Sequence, residues 1–109
     1  MAKTLIERYI ESRKNLGKLL TEILGSNNVY FQPPESMKLK YPCIIYTRNK
    51  IITTPADNLA YKTDFSYTIT LVDTDPDSPI NIKLIAAGCK FDRPFKTTGL
   101  YHTVYTITY

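Results

Sequence analysis

Tyr61, Phe65, Tyr67, Ile69 and Leu71 alternate with Lys62, Asp64, Ser66, Thr68 and Thr70. A period of two over this length predicts a strand with one buried and one wetted face. The buried face needs a cover, and the first part of the chain has the pattern to provide it. Residues 4–24 place Leu5, Ile6, Tyr9, Ile10, Leu16, Leu19, Leu20, Ile23 and Leu24 at spacings dominated by three, four and seven, which is helix period. Thr4 with Glu7 fits a capping box, and Gly25 suits a left-handed C-cap. The polar, glycine-containing stretch Ser12–Gly17 is where such a helix could break in two.

The other elements are shorter. Val29-Tyr30-Phe31 reads as a strand stopped by Pro33-Pro34, and the polar stretch to Lys40 as a loop. Ile44, Ile45 and Tyr46 begin a second strand that could run on to Ile52, with Thr54-Pro55-Ala56-Asp57-Asn58 as a turn or loop tip. Ser78-Pro79 looks like an N-cap followed by proline at the first helical position. The helix Ile80–Ala87 would bury Ile80, Leu84 and Ala87, with Gly88 as its stop. Strand candidates Cys89–Lys96 and His102–Tyr109, joined by a Thr-Thr-Gly turn, complete the order α-β-β-β-α-β-β. The expectation is one α+β domain over residues 1–109. Its mostly antiparallel sheet of four to five strands is packed by an N-terminal helix and a second short helix.

A chain of 109 residues has length for one core. With 43% hydrophobic and 22% charged residues it has an ordinary globular balance. No apolar run approaches a membrane span of about 20 residues. Glu7, Glu11 and Arg13 interrupt any signal-peptide h-region, so cytoplasmic synthesis without membrane partners is expected. Glu7, Glu11 and Glu22 mixed with Arg8, Lys14 and Lys18 suit a solvated helix face better than a membrane surface.

Chemistry is sparsely represented. Cys43, Cys89 and His102 fall one ligand short of a zinc site, and free buried thiols are the expectation for the cysteines. A Cys89–His102 nucleophile pair lacks the surrounding context that catalysis requires, so His102 reads as a strand-edge residue. The run Asp73-Thr74-Asp75-Pro76-Asp77-Ser78 opens like a calcium loop. It then has Ser78 where glycine is needed and Leu84 where a closing glutamate is needed. Those carboxylates read better as facing the positive end of the helix at Pro79. The four glycines, at 17, 25, 88 and 99, are too scattered for a phosphate-binding loop. No cofactor is expected, and no enzyme activity.

Lys38, Lys40, Arg48 and Lys50 interleave with Tyr41 and Tyr46, a pattern that suits single-stranded nucleic acid. Asp64, Asp73, Asp75, Asp77 and Asp92 offset these basic residues elsewhere, and the net charge is a mild +4. Nine tyrosines in a β-rich chain favour an interaction module, with strand faces and loops as its surfaces.

A series of segments carries a resemblance. It comprises Val29-Tyr-Phe-Gln-Pro-Pro34, Tyr41-Pro-Cys-Ile-Ile-Tyr46, Ala56-Asp-Asn-Leu-Ala-Tyr61, Tyr67 to Ser78, Cys89-Lys-Phe-Asp-Arg-Pro-Phe95 and Gly99 to Tyr109. In this order the segments resemble the tail terminator, or tail-completion, proteins of long non-contractile-tailed bacteriophages, over about residues 29–109. Tyr101 departs from the pattern, which has a small polar residue before the histidine. The resemblance implies a structural virion protein of the tail, assembled in the host cytoplasm. Its protomers form a homo-oligomer, a hexameric ring at the head-proximal end of the tail tube. The ring stops tube polymerisation and joins the tail to the head connector, and DNA passes through its channel without sequence-specific binding. The tail tube protein and the head–tail connector protein are the implied partners.

A ring is a heterologous closed assembly, so each subunit needs two unlike complementary patches. The polar, proline-containing connection Asn49 to Leu59 is the candidate for a protruding contact, with Asn49, Lys50, Thr54, Asp57, Asn58 and Tyr61 as subunit- or tube-contact residues. The alternatives are a head-completion or stopper protein of the same head–tail interface and, further off, a small nucleic-acid-binding domain.

Overall fold

The alternating segment is the middle strand of a five-stranded sheet. The computed structural model describes residues 4–55 and 61–109, Tyr61 by its backbone alone. In chain order these form α1 (Leu5–Leu24), β1 (Val29–Phe31), β2 (Cys43–Pro55), β3 (Tyr61–Asp73), α2 (Ile80–Ala86), β4 (Lys90–Thr97) and β5 (Leu100–Thr108). The sheet order is β1-β2-β3-β5-β4, with β1 parallel to β2 and the other pairs antiparallel. The fold is α+β in the expected element order.

Register places Ile44 and Tyr46 of β2, Phe65, Tyr67, Ile69 and Leu71 of β3, and Tyr105 and Ile107 of β5 on one face. This face meets Leu16 and Leu20 of α1, Ile80 and Leu84 of α2, and Cys89, in a single buried cluster. The other face carries Thr47, Thr68 and Thr106 in one row and Ile45, Thr70 and Val104 in the next.

α1 is continuous, so the expected break at Ser12–Gly17 does not occur. Thr4 Oγ1 accepts from the Glu7 amide at 3.1 Å, and Gly25, at φ 78°, closes the helix with its amide on the Thr21 carbonyl. The polar stretch in between is the seam to the sheet. The Ser12 hydroxyl lies 2.6 Å from the Tyr109 carbonyl and 2.9 Å from the Tyr67 hydroxyl. Ser12 has one proton and the carbonyl can only accept, so Tyr67 donates to Ser12. Tyr46 donates to the Arg13 carbonyl at 3.3 Å, and a Cβ at Gly17 would stand 2.6 Å from the Tyr46 hydroxyl oxygen. Glycine is needed there because a tyrosine from the sheet occupies the space of its side chain.

Other boundaries differ from expectation. Asn49–Pro55 is strand, so the connection expected from Asn49 onward, and the turn expected from Thr54, begin no earlier than residue 56. β3 continues past Leu71 to Asp73, β4 is Lys90–Thr97, and β5 is Leu100–Thr108. The two-residue turn between β4 and β5 has both central residues at positive φ, Thr98 at 49° and Gly99 at 78°. That turn matches the twist of the strands it joins. Ser78 does not cap α2: its Oγ is buried without a hydrogen-bond partner among the described residues, while its carbonyl accepts from Asn81. Ala87 is half-buried at the helix end, outside the core cluster.

Candidate functional site

β2 and β3 remain paired from Cys43↔Val72 to Pro55↔Tyr61, but their neighbours are shorter. β1 covers β2 only at Ile44–Tyr46, and β5 covers β3 only from Ser66 to Asp73. Ile51–Pro55 and Tyr61–Phe65 therefore continue as a two-stranded ribbon about 16 Å long at the usual rise per residue. This arm elongates the molecule. The principal extents are 52 × 24 × 23 Å and the radius of gyration is 15.4 Å, against roughly 13 Å for a compact chain of this length.

A bulge sets the orientation of the arm. Arg48 faces Tyr67 and Lys50 faces Ser66, which leaves Asn49 as an extra residue. Before it, even-numbered Ile44, Tyr46 and Arg48 point to the helix side; after it, odd-numbered Ile51 and Thr53 do. Asn49 Nδ2 donates to Ser66 Oγ at 3.4 Å. Ile51, on the helix side, lines an apolar concavity of about 220 Å³ with Leu5, Ile6, Tyr9, Thr63 and Phe65. Leu5, Ile6 and Ile51 keep 54%, 71% and 53% of their surface in solvent.

Of the expected contact residues, Asn49 is the bulge, Lys50 and Thr54 are exposed on β2, and Tyr61 pairs with Pro55 at the arm's outer end. Asp57 and Asn58 lie outside the described residues. Leu5 and Ile6 were read only as helix periodicity. Their place beside Ile51 depends on a helix-to-sheet contact that no local pattern encodes.

The basic and aromatic set does not form one surface. Arg48 lies on the helix side, its guanidinium 3.7 Å from the Tyr9 ring centroid and 5.4 Å from that of Phe31. Lys50 points to the opposite face, and Tyr46 is buried. The Arg48 amide donates to Gln32 Oε1. That bond caps the β2 edge where β1 ends, so β2 from Asn49 outward is covered on one side only among the described residues.

The opposite sheet edge is guarded. β4 is exposed throughout, carries a bulge between Phe91 and Arg93, and includes Lys90, Arg93, Pro94 and Lys96. Charge, proline and bulges are the devices that discourage edge pairing. The arm edge has Lys50 and a terminal Pro55 but no bulge beyond Asn49.

The candidate reactive groups are dispersed. Cys43 and Cys89 are free and buried, and burial pushes both thiols up to about 11. His102 lies on the sheet face away from the helices, stacked on Phe95 with centroids 4.4 Å apart, whereas Cys89 belongs to the core under the helices. The acidic run serves its own loop. Asp73 Oδ1 accepts from the Asp75 amide and Asp75 Oδ1 from the Asp77 amide, so the carboxylates do not cap α2. No group of three or more His, Cys, Asp or Glu among the described residues could hold a metal ion. Among those residues no helix is long and apolar enough to cross a membrane. The sequence matches no family model, and no curated protein is significantly similar to it.

Proposed function

We propose that the chain is a structural protein of a bacteriophage tail, a terminator whose copies form a ring at the head-proximal end of the tail tube. The observation that carries the reading is the two-stranded arm, with one uncovered edge on β2 and an exposed apolar patch where it meets α1. A two-stranded ribbon is marginal in water by itself, and large exposed aliphatic side chains gathered at its root mark a contact surface. An arm that pairs or packs against a neighbouring subunit or the tube supplies one of the two unlike patches that a closed ring requires. The sequence resemblance supplies the setting. In this reading the ring stops tube growth, presents its other face to the head connector, and surrounds the passing DNA with no catalytic role.

Disrupting the gene in the parent phage and imaging the lysate by negative-stain electron microscopy tests the proposal. Overlong tails beside unattached heads are the expected outcome. Tails of normal length beside unattached heads would move the assignment to a head-completion protein. Intact virions would overturn both.

A further inference from the structure

We propose that the groove between α1 and β1 receives the acidic β3–α2 loop of a second copy of this chain, and that this is the head-to-tail contact of the ring. The proposal rests on the ring reading given above. Arg13, Lys14, Lys18 and Thr21 of α1 line the groove, opposite Val29 and Tyr46 of the sheet, around a volume of about 570 Å³. Arg48 stands one ring away, since its guanidinium and that of Arg13 both pack on Phe31, at 5.4 and 5.0 Å. Glu22 is the one carboxylate in the lining, so cations outnumber it three to one before Arg48 is counted.

No ion pair among the described residues neutralises these cations. The ion pairs among the described residues are Lys62–Asp64 and Arg93–Asp92, and neither involves the groove. Arg13 Nε is buried and has no acceptor among the described residues. Arg13 as a whole is only half-buried and lines the groove, so the remaining N–H groups of its guanidinium can take a carboxylate from outside, with bidentate geometry as the favoured form.

Asp73, Asp75 and Asp77 have the complementary chemistry. Asp73 ends β3 and is half-buried, and Asp75 and Asp77 follow at alternate positions in the exposed connection to α2; no ion pair among the described residues involves them. The two bonds from Asp73 and Asp75 to the loop's own amides engage one oxygen of each carboxylate. The second oxygen of each remains available, and the loop is held in shape before it meets a partner. Preorganisation of this kind lowers the cost of association.

A chain is not built to fill its own groove. α1 packs against β1, an edge strand of the sheet, whereas α2 lies toward β5, where Asn81 Oδ1 accepts from the Tyr105 hydroxyl at 2.6 Å. The groove opens on the β1 flank, whereas the acidic loop leads to α2 on the other. Two complementary surfaces on different flanks of one protomer produce a heterologous contact, which repeats by rotation and closes into a ring.

Cross-linking with bismaleimide on the full chain tests this contact. Glu22→Cys places a thiol in the groove and Thr74→Cys places one in the loop, and neither removes a charge the contact uses. The native thiols are buried and stay silent. Glu22→Cys mixed with Thr74→Cys should give heterodimers while neither alone gives dimers, and the double variant should give a ladder. Asp75→Lys with Asp77→Lys should abolish the heterodimer, and Lys14→Glu with Lys18→Glu on the groove copy should restore it. The measurement is made in concentrated low-salt solution and on isolated tails.

Absence of the mixed cross-link in both settings overturns the contact. Protection of the groove thiol by a single-stranded oligonucleotide, without the mixed cross-link, also overturns it in favour of nucleic acid. The cross-link with tails of normal length in the gene disruption leaves the contact standing and removes the terminator reading. Overlong tails without the cross-link do the reverse.

Discussion

Gly17 and Tyr46 are coupled tightly enough that one substitution should change sign with its background. Alanine favours a helix interior over glycine by about 1 kcal/mol. At this position its methyl would meet the Tyr46 hydroxyl at 2.6 Å, while the next ring atom lies at 3.4 Å. Gly17→Ala should therefore destabilise the native chain by about 1–2 kcal/mol, the usual scale of overpacking. In a Tyr46→Phe background the oxygen is gone and the same change should stabilise by up to about 1 kcal/mol. Urea unfolding of the four proteins checks this, and the same sign in both backgrounds would refute the steric account.

The buried thiols set a second expectation. Cys43 and Cys89 keep their protons in the folded state up to about pH 11, whereas the unfolded chain releases them near the ordinary thiol value of about 8.5. Burial likewise raises Tyr46 and Tyr105, opposed at Tyr46 by Arg13 and Arg48 and reinforced at Tyr105 by Cys89. Between those values the folded protein binds more protons than the unfolded chain, so stability falls as pH rises. It should be flat through neutral pH and decline from about pH 9 toward 11. Denaturant melts across that range provide the measurement. A Cys43→Ala, Cys89→Ala variant should show a shallower decline.

At the scale of elements, the local signals were legible where one pattern ran unbroken. The alternation in β3 is legible because it follows one period along its whole length, and α1 is legible on either side of Ser12–Gly17, where the apolar spacing resumes. β2 is legible in sequence only to Ile52, with the stretch from Asn49 also readable as a connection, because the Asn49 bulge changes which parity faces the helix and breaks the period. The seam residues Ser12 and Gly17 looked like a helix break because their reasons lie in Tyr67 and Tyr46, more than 25 positions along the chain. The arm was expected to protrude, but as an irregular connection rather than a paired ribbon.

The bulge also makes a deletion testable. Without Asn49, Lys50 would follow Arg48 directly and Ile51 would still face the helix. The deletion should fold, at a cost of about 1–2 kcal/mol for the lost side-chain bond and altered twist. Deleting Thr68 from the unbulged β3 would turn Phe65 and Tyr67 out of the core and should prevent folding. Circular dichroism and thermal melts separate the two. In the β4–β5 turn, Thr98 holds φ 49° with a β-branched side chain. Thr98→Asn should stabilise by about 0.5–1 kcal/mol, because asparagine tolerates the left-handed region better.

The whole molecule is long and thin, with a single core under two helices and an arm reaching beyond it. Leu5, Ile6 and Ile51 have no role in that core that needs their apolar surface, so substitution there separates folding from assembly. Ile6→Asp with Ile51→Asp should leave stability within about 1 kcal/mol of the parent, as surface changes usually do. In a closed assembly the same two charges would fall in a contact and lie opposite apolar groups, where an unpaired carboxylate is expensive. Carried into the phage, the variant should therefore fold and be expressed, yet give the overlong tails of the gene disruption. Tails of normal length from a variant of unchanged stability would show that the root of the arm faces solvent in the virion, and the contacts would then have to be sought at the groove and acidic loop alone.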